Sequence, residues 1–298
     1  MRLLAGLAFG AISAIAASCA SAPASSPSAA RIVAFEPYPA AAVQPRAVWV
    51  LLPPGYDQST ERFPVIYMHD GQNLFDASKA NFGVEWAIDE TMERLIAAGE
   101  IRPAIIVGIE SSPKRFEEYM PKKAASGDFV TPGVEGYPSF KTADLIADKY
   151  LAFIVNELKG AIDAEFRTLT GPADTFIFGS SMGGLISAYA VSEYPDVFGG
   201  AACISTHWPV EEGAVVDYFE RALPAPGRHR FYFDFGSATL DALYEPHQQR
   251  MDTAMERRGY RRGIDWVTLK FDGAEHNEKS WAARADLPLK FLLGPPRQ

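Results

Sequence analysis

Cysteine is nearly absent: the 298 residues contain two, Cys19 and Cys203. That count excludes a disulfide framework and any cysteine-rich zinc or iron–sulfur site. Basic charge is also short, with 28 Lys and Arg against 37 Asp and Glu and a net charge of −9. A nucleic-acid-binding surface needs a basic face, so no nucleic-acid partner is expected. Long apolar runs are missing too. A membrane span needs about 20 residues, and the longest run, 3–17, falls short of that. Glycine (24) and proline (22) are too few for a collagen-like or low-complexity chain. What is present is ordinary for a folded protein, 48% hydrophobic and 22% charged residues. The length suits one large domain or two small ones.

The first thirty residues read as an address. Arg2 is their one charge, followed by the short apolar run and then small residues, the pattern of a secretory signal. Ala16-Ala17-Ser18-Cys19 resembles the lipobox of bacterial lipoproteins, although Ala16 stands where that motif usually has Leu. This reading gives a signal peptide over 1–18 and a lipidated Cys19 as membrane tether. Ala20-Ser21-Ala22 offers the competing cleavage site of ordinary secretion. Either way the chain is expected to be exported, as a periplasmic or outer-membrane-attached lipoprotein or as a secreted protein. Residues 19–31 are small, polar and broken by proline, so they read as a flexible tether. Cys203, in an apolar run, reads as a buried core thiol.

From Arg46 onward, short apolar runs alternate with helical periodicity. Strands are expected at 48–52, 65–68, 104–109, 175–178, 199–204, 231–235 and 266–271. Helices are expected at 85–98, 143–166, 182–192, 246–258 and 279–293. Short continuous apolar strands separated by helices imply an α/β fold with a mostly parallel sheet covered on both faces. No linker after residue 31 marks a further boundary, so 32–298 reads as one domain. The stretch 111–140 is the longest irregular segment, and insertions of that length usually carry function.

The most specific signal is Gly179-Ser180-Ser181-Met182-Gly183-Gly184. It follows a strand and opens a helix, the context in which G-x-S-x-G places a nucleophile on a sharp turn. Ser181 is the candidate nucleophile, and the N–H of Met182 a candidate oxyanion donor at a helix N-terminus. The base must follow the serine in this arrangement. His276, in the loop after the last strand, fits. His69 precedes the serine, His229 starts a strand and His247 lies within a helix. The acid should follow the strand at 231–235. Asp241 is the choice, with Asp234 and Asp272 as alternatives. A second oxyanion donor is expected from the turn after the strand at 65–68, where Gln72 follows Gly71. His207 and Trp208, after another strand, and Tyr119 are candidate substrate contacts. Phe116, Phe129 and Tyr137 in the insertion could also line a pocket.

Together these residues resemble the "Putative esterase" family of α/β hydrolases, which holds esterase-D-like, enterochelin, feruloyl and acetyl-xylan esterases. Its carriers are Leu52-Pro53-Pro54-Gly55-Tyr56, His69-Asp70-Gly71-Gln72-Asn73-Leu74-Phe75, the serine motif, and Gly273-Ala274-Glu275-His276-Asn277-Glu278. The segment Val107-Gly108-Ile109, followed by Arg115 and Glu118-Tyr119, looks like the family's loop after its third strand. The resemblance implies the α/β-hydrolase fold. It implies a serine esterase using Ser181, His276 and Asp241, with no metal or organic cofactor. The substrate would be a small-molecule or polysaccharide ester. Two rival readings keep the same residues or the same fold: an acyltransferase acting on an envelope sugar or lipid, and a non-catalytic envelope lipoprotein.

Overall fold

The computed structural model describes residues 28–125, 128–129 and 140–295. The expected signal peptide, Cys19 and the tether up to residue 27 lie outside them. Arg31, expected in the tether, instead opens the first strand, β1 (Arg31–Tyr38). No strand is expected here from sequence, because Pro37 argues against one and the segment is largely exposed.

Eight strands form one sheet in the order β1-β2-β4-β3-β7-β8-β9-β10. They comprise β1, β2 (Arg46–Leu52), β3 (Val65–His69), β4 (Ile105–Ile109), β7 (Thr175–Ser180), β8 (Gly200–Ile204), β9 (Arg230–Gly236) and β10 (Trp266–Phe271). From β4 to β10 every neighbouring pair is parallel, whereas β2 runs antiparallel to both β1 and β4. A separate two-stranded ribbon pairs β5 (Asp128–Phe129) with β6 (Phe140–Lys141).

Alternation along each central strand feeds two cores. On β3, Val65 and Tyr67 face one side and Ile66 and Met68 the other; on β7, Ile177 opposes Phe176 and Phe178. That is why these strands read as continuous apolar runs: both faces are covered. One face packs against α1 (Ile88–Ala97) through Ile88, Met92 and Leu95, and against Trp281, Leu289 and Phe291 near the C-terminus. Each such side chain removed from water contributes about 1.5–3 kcal/mol. The other face carries α5 (Met182–Glu193), α6 (Ala214–Ala222) and α7 (Glu245–Arg257), together with Tyr119 of α2 (Arg115–Tyr119). Cys203 lies here, fully buried and unpaired.

Two expected helices differ in detail. The segment at 143–166 becomes α3 (Ala147–Ala152), a π-helical stretch Phe153–Leu158 and α4 (Lys159–Glu165). The expected C-terminal helix splits into α8 (Glu278–Ala282) and α9 (Asp286–Leu293). Pro288 explains the split. Its ring would clash with the carbonyl of residue 284 in a continuous helix, but it is tolerated in the first turn of a new one.

The chain leaves β3 toward β4 on one side and later returns to place β7 on β3's other side. β3 and β7 therefore flank the topological switch point, and the crevice beyond their carboxyl ends is where such sheets bind ligands.

Candidate active site

β7 is buried throughout and stops at Ser180. The next residue, Ser181, takes φ 56° and ψ −122°, and α5 begins directly after it. A non-glycine residue at positive φ costs roughly 1–3 kcal/mol and persists only where its surroundings impose it. Here β8 does so. Ser181 N–H donates to Ile204 O at 2.9 Å, and His207 N–H donates to Ser181 O at 3.1 Å. The turn also needs its glycines. A Cβ on Gly179 would sit 2.6 Å from the Gly183 carbonyl carbon, so the strand and helix could not close on each other. Met182 N–H stands at the N-terminus of twelve-residue α5, where the partial positive charge favours an oxyanion.

His276 reaches Ser181 from the loop after β10. Its Nε2 lies 2.9 Å from Ser181 Oγ, and its Nδ1 lies 2.6 Å from Asp241 Oδ1. A carboxylate can only accept, so Nδ1 carries the proton and Nε2 accepts from the serine hydroxyl. The loop is tied to the one after β9. Ser237 and Ala238 N–H groups donate to Ala274 O at 3.1 and 3.0 Å, and His276 N–H donates to Thr239 Oγ1 at 2.8 Å. The imidazole is held edge-to-face by Trp281 at 4.9 Å and Tyr244 at 5.4 Å between centroids.

Asp241 lies in the one-turn helix Thr239–Leu243 and is fully buried. Burial opposes its charge, but bonds from His276, Ser205 and Gly236 outweigh that and hold its carboxyl below the usual carboxylate value. The alternatives are engaged elsewhere. Asp234 is inside β9, where its Oδ1 pairs with Arg284 at 3.1 Å and its Oδ2 accepts from Tyr232 at 2.9 Å. Asp272 is exposed, with Lys270 3.7 Å away.

The turn expected to supply the second oxyanion donor is the short helix Gly71–Asn73 at the carboxyl end of β3. Asp70 enters it at φ 55°. A Cβ on Gly71 would lie 2.5 Å from Gly108 C and Ile109 N, so only glycine lets this turn press on β4. The Gln72 side chain is clamped to Ser111, donating from Nε2 at 2.8 Å and accepting the Ser111 N–H at 3.1 Å.

Three expected substrate contacts are not at the opening. Trp208 is fully buried, donates from Nε1 to Gln248 Oε1 at 2.7 Å and packs on Phe219 and Phe233. Tyr119 is fully buried between His69 and Tyr150. His207 is likewise buried, with Nδ1 2.6 Å from Tyr244 Oη, and burial pushes its pKa down to about 3. His207 and Trp208 follow β8 closely enough to be drawn into the core, and Tyr119 ends α2 with its ring turned into the same core. Phe116 is half-buried under the Arg115 guanidinium. The Phe129 side chain and Tyr137 lie outside the described residues.

The cavity beside Ser181 and His276 holds about 300 Å³. Its walls join motif residues, Asp70, Asn73 and Ser180 among them, to three that belong to no quoted motif, Asn81, Phe82 and Trp281. Arg115 donates to Asp70 through two bonds, at 2.7 and 2.8 Å. Asn81 and Phe82 form a lip, with Phe82 89% exposed and at φ 62°. Glu278 also lines the cavity, and burial raises its pKa above the ordinary carboxylate value. Positive φ at Phe82 is a tertiary property, so nothing in the sequence announces it.

Residues 40–284 match the family model described as "Putative esterase". The chain is 25% identical over 261 residues to "Uncharacterized protein YbbA" of Bacillus subtilis (strain 168), covering 85% of this chain and 94% of that protein. Its fold is similar to the IroE-like serine hydrolase from Shewanella oneidensis, with a TM-score of 0.69, 20% identity and coverage of 87% of this chain and 79% of that one. It is also similar to a ferulic acid esterase, with a TM-score of 0.63, 19% identity and coverage of 89% and 98%.

Proposed function

We propose, for a chain that belongs to the "Putative esterase" family and is therefore a carboxylic ester hydrolase of the α/β-hydrolase fold, that hydrolysis runs through an acyl-enzyme on Ser181. The observation that carries this is the continuous chain Ser181 Oγ–His276 Nε2 and His276 Nδ1–Asp241 at 2.9 and 2.6 Å, on a strained elbow. His276 Nε2 takes the hydroxyl proton as Ser181 Oγ attacks the ester carbonyl. Asp241 holds the Nδ1 proton and stabilises the imidazolium. The Met182 and Gln72 N–H groups hold the oxyanion. The C–O bond to the alcohol breaks as Nε2 returns the proton to the leaving oxygen. Water then gives its proton to Nε2, attacks the acyl carbon and releases the acid, and Ser181 regains its proton. The substrate is a small-molecule or polysaccharide ester. Ser181→Ala should lower kcat on short p-nitrophenyl esters by at least about a thousandfold and abolish fluorophosphonate labelling. Full activity in that variant overturns the assignment.

The export reading stands on residues 1–18 and the Ala16–Cys19 motif. Cys19→Ala should move the protein from the membrane fraction to the soluble one. An unchanged distribution removes the lipid tether.

A further inference from the structure

Asp241 shows His276 only one of its two oxygens. Oδ2 accepts the Gly236 N–H at 2.5 Å and the Ser205 hydroxyl at 2.6 Å. Ser205 directly follows β8, as Ser181 follows the neighbouring β7, and Ser180 pairs in register with Ile204. It is fully buried and sits at φ 42°. A serine hydroxyl has one proton and two lone pairs. Both lone pairs are occupied: Trp281 Nε1–H donates at 3.1 Å and Arg284 Nη2–H at 2.9 Å. The hydroxyl proton is thereby committed to Asp241.

Arg284 is itself buried and ion-paired with Asp234 Oδ1 at 3.1 Å. Its charge is balanced there, so what it delivers to Ser205 is a fixed donor rather than a net positive field. Tyr232 and the Ser205 N–H complete the shell of Asp234, the latter at 3.4 Å. The chain Asp234–Arg284–Ser205–Asp241–His276 therefore runs inside the protein, across β8, β9 and α8–α9, to the nucleophile.

We infer that Ser205 is a positioning residue for the reaction: its hydroxyl, oriented by Arg284 and Trp281, locks the Asp241 carboxylate so that Oδ1 stays on His276 Nδ1. The inference rests on Asp241 being the acid of the proposed triad. Two directional donors on Oδ2 fix the carboxylate's rotation. The strained backbone at Ser205 is the sort of cost retained at working sites. The other titratable groups facing the pair are Tyr244 against the imidazole, His207 after β8, and Asp70, Arg115 and Glu278 at the cavity. Ser205 substitutions leave all of them in place.

The test compares Ser205→Ala, Asp241→Asn and the double variant, in kcat, KM, melting temperature and the pH profile of kcat/KM. Alanine keeps the Cβ, so the backbone strain is unchanged and only the hydroxyl is lost. A hydrogen bond to a charged group is worth enough that kcat should fall about ten- to a hundredfold, with KM within about twofold. Without this donor the carboxylate becomes more basic and stabilises the imidazolium, so the acidic limb of the profile moves to higher pH. In the Asp241→Asn background the same change should cost nothing further, because residues acting through one another are non-additive. An unchanged kcat in Ser205→Ala overturns the inference. So does an equal fold-loss in both backgrounds, or a loss that follows melting temperature with the acidic limb unmoved. Wild-type kcat in Asp241→Asn instead overturns the acid assignment, and this inference with it. Should Ser205→Ala not fold, Ser205→Cys keeps a weak donor and should show a smaller limb shift in the same direction, with a smaller loss of kcat; an unmoved limb and unchanged kcat overturn the inference.

Discussion

At the scale of single residues, the site is a set of proton positions fixed by who can donate. His276 must hold its proton on Nδ1 because Asp241 can only accept, and that leaves Nε2 free to receive the serine proton. Asp241→Asn would present a donor or a misplaced acceptor there and favour the wrong tautomer; kcat should fall by about a thousandfold or more with KM little changed. The same carboxyl also links stability to pH. Its folded-state pKa is depressed, so its charge contributes stability above the ordinary carboxylate value near 3.8, and that contribution is lost as pH falls through the lower folded value. The stability difference between wild type and Asp241→Asn should therefore shrink between pH 5 and the most acidic condition at which both fold. Urea midpoints measured across that range would show it, and a constant difference would contradict it. Ser181 and His276 could be picked out from sequence because their motifs are local. Asp241 was one of three aspartates, and only placement separated the buried Asp234, held by Arg284, and the exposed Asp272 from it. Trp208 and Tyr119 lie in the core because burial is set by the whole fold and not by one position.

At the scale of elements, glycines decide how closely strand ends and turns approach. Gly71 is the sharpest case. Its missing Cβ leaves room for the backbone of Gly108 and Ile109, and neither neighbour is a flexible side-chain tip that could yield. Gly71→Ala should displace the turn carrying Gln72, lowering kcat more than KM and reducing melting temperature by several degrees, about 1–3 kcal/mol for an overpacked contact. Wild-type kinetics in that variant would show that the turn does not serve the oxyanion. Most element positions were readable from periodicity, including β7, α5 and β10, where the apolar pattern and the fold agree. The missed β1 and the divided C-terminal helix share a cause. Each hinges on one proline, Pro37 or Pro288, whose effect depends on which neighbour would have needed its N–H.

At the scale of the whole molecule, the face that carries the candidate site is assembled from the carboxyl ends of β3, β7, β8, β9 and β10, drawn from residues far apart in the chain. One clamp at its border is the buried pair of Arg46, at the start of β2, and Glu118 on α2, bonded at 2.9 and 2.7 Å with both side chains almost wholly excluded from water. Ser112 adds a third bond to Glu118 at 2.9 Å, and the same helix begins with Arg115, which grips Asp70 at the cavity. Glu118→Ala would leave the Arg46 guanidinium buried without its carboxylate. It should destabilise the fold by about 3–5 kcal/mol, read from chemical denaturation; a change under about 1 kcal/mol would mean the pair does not clamp the helix.

The sequence alone determined the fold class, the strand–turn–helix elbow and the serine and histidine that meet there. Those depend on period, on local turn chemistry and on chain order, which are written into short segments. Tertiary structure alone decided which aspartate faces His276, which aromatics are swallowed by the core, and which side chains, Phe82, Asn81 and Arg115 among them, surround the cavity. It also brought Ser205, Arg284 and Asp234 behind Asp241. These depend on strand order and on which polar atoms find partners once water is excluded. No short segment carries that information, because the bonds of Asp241, Ser205, Arg284 and Arg115 join residues tens of positions apart.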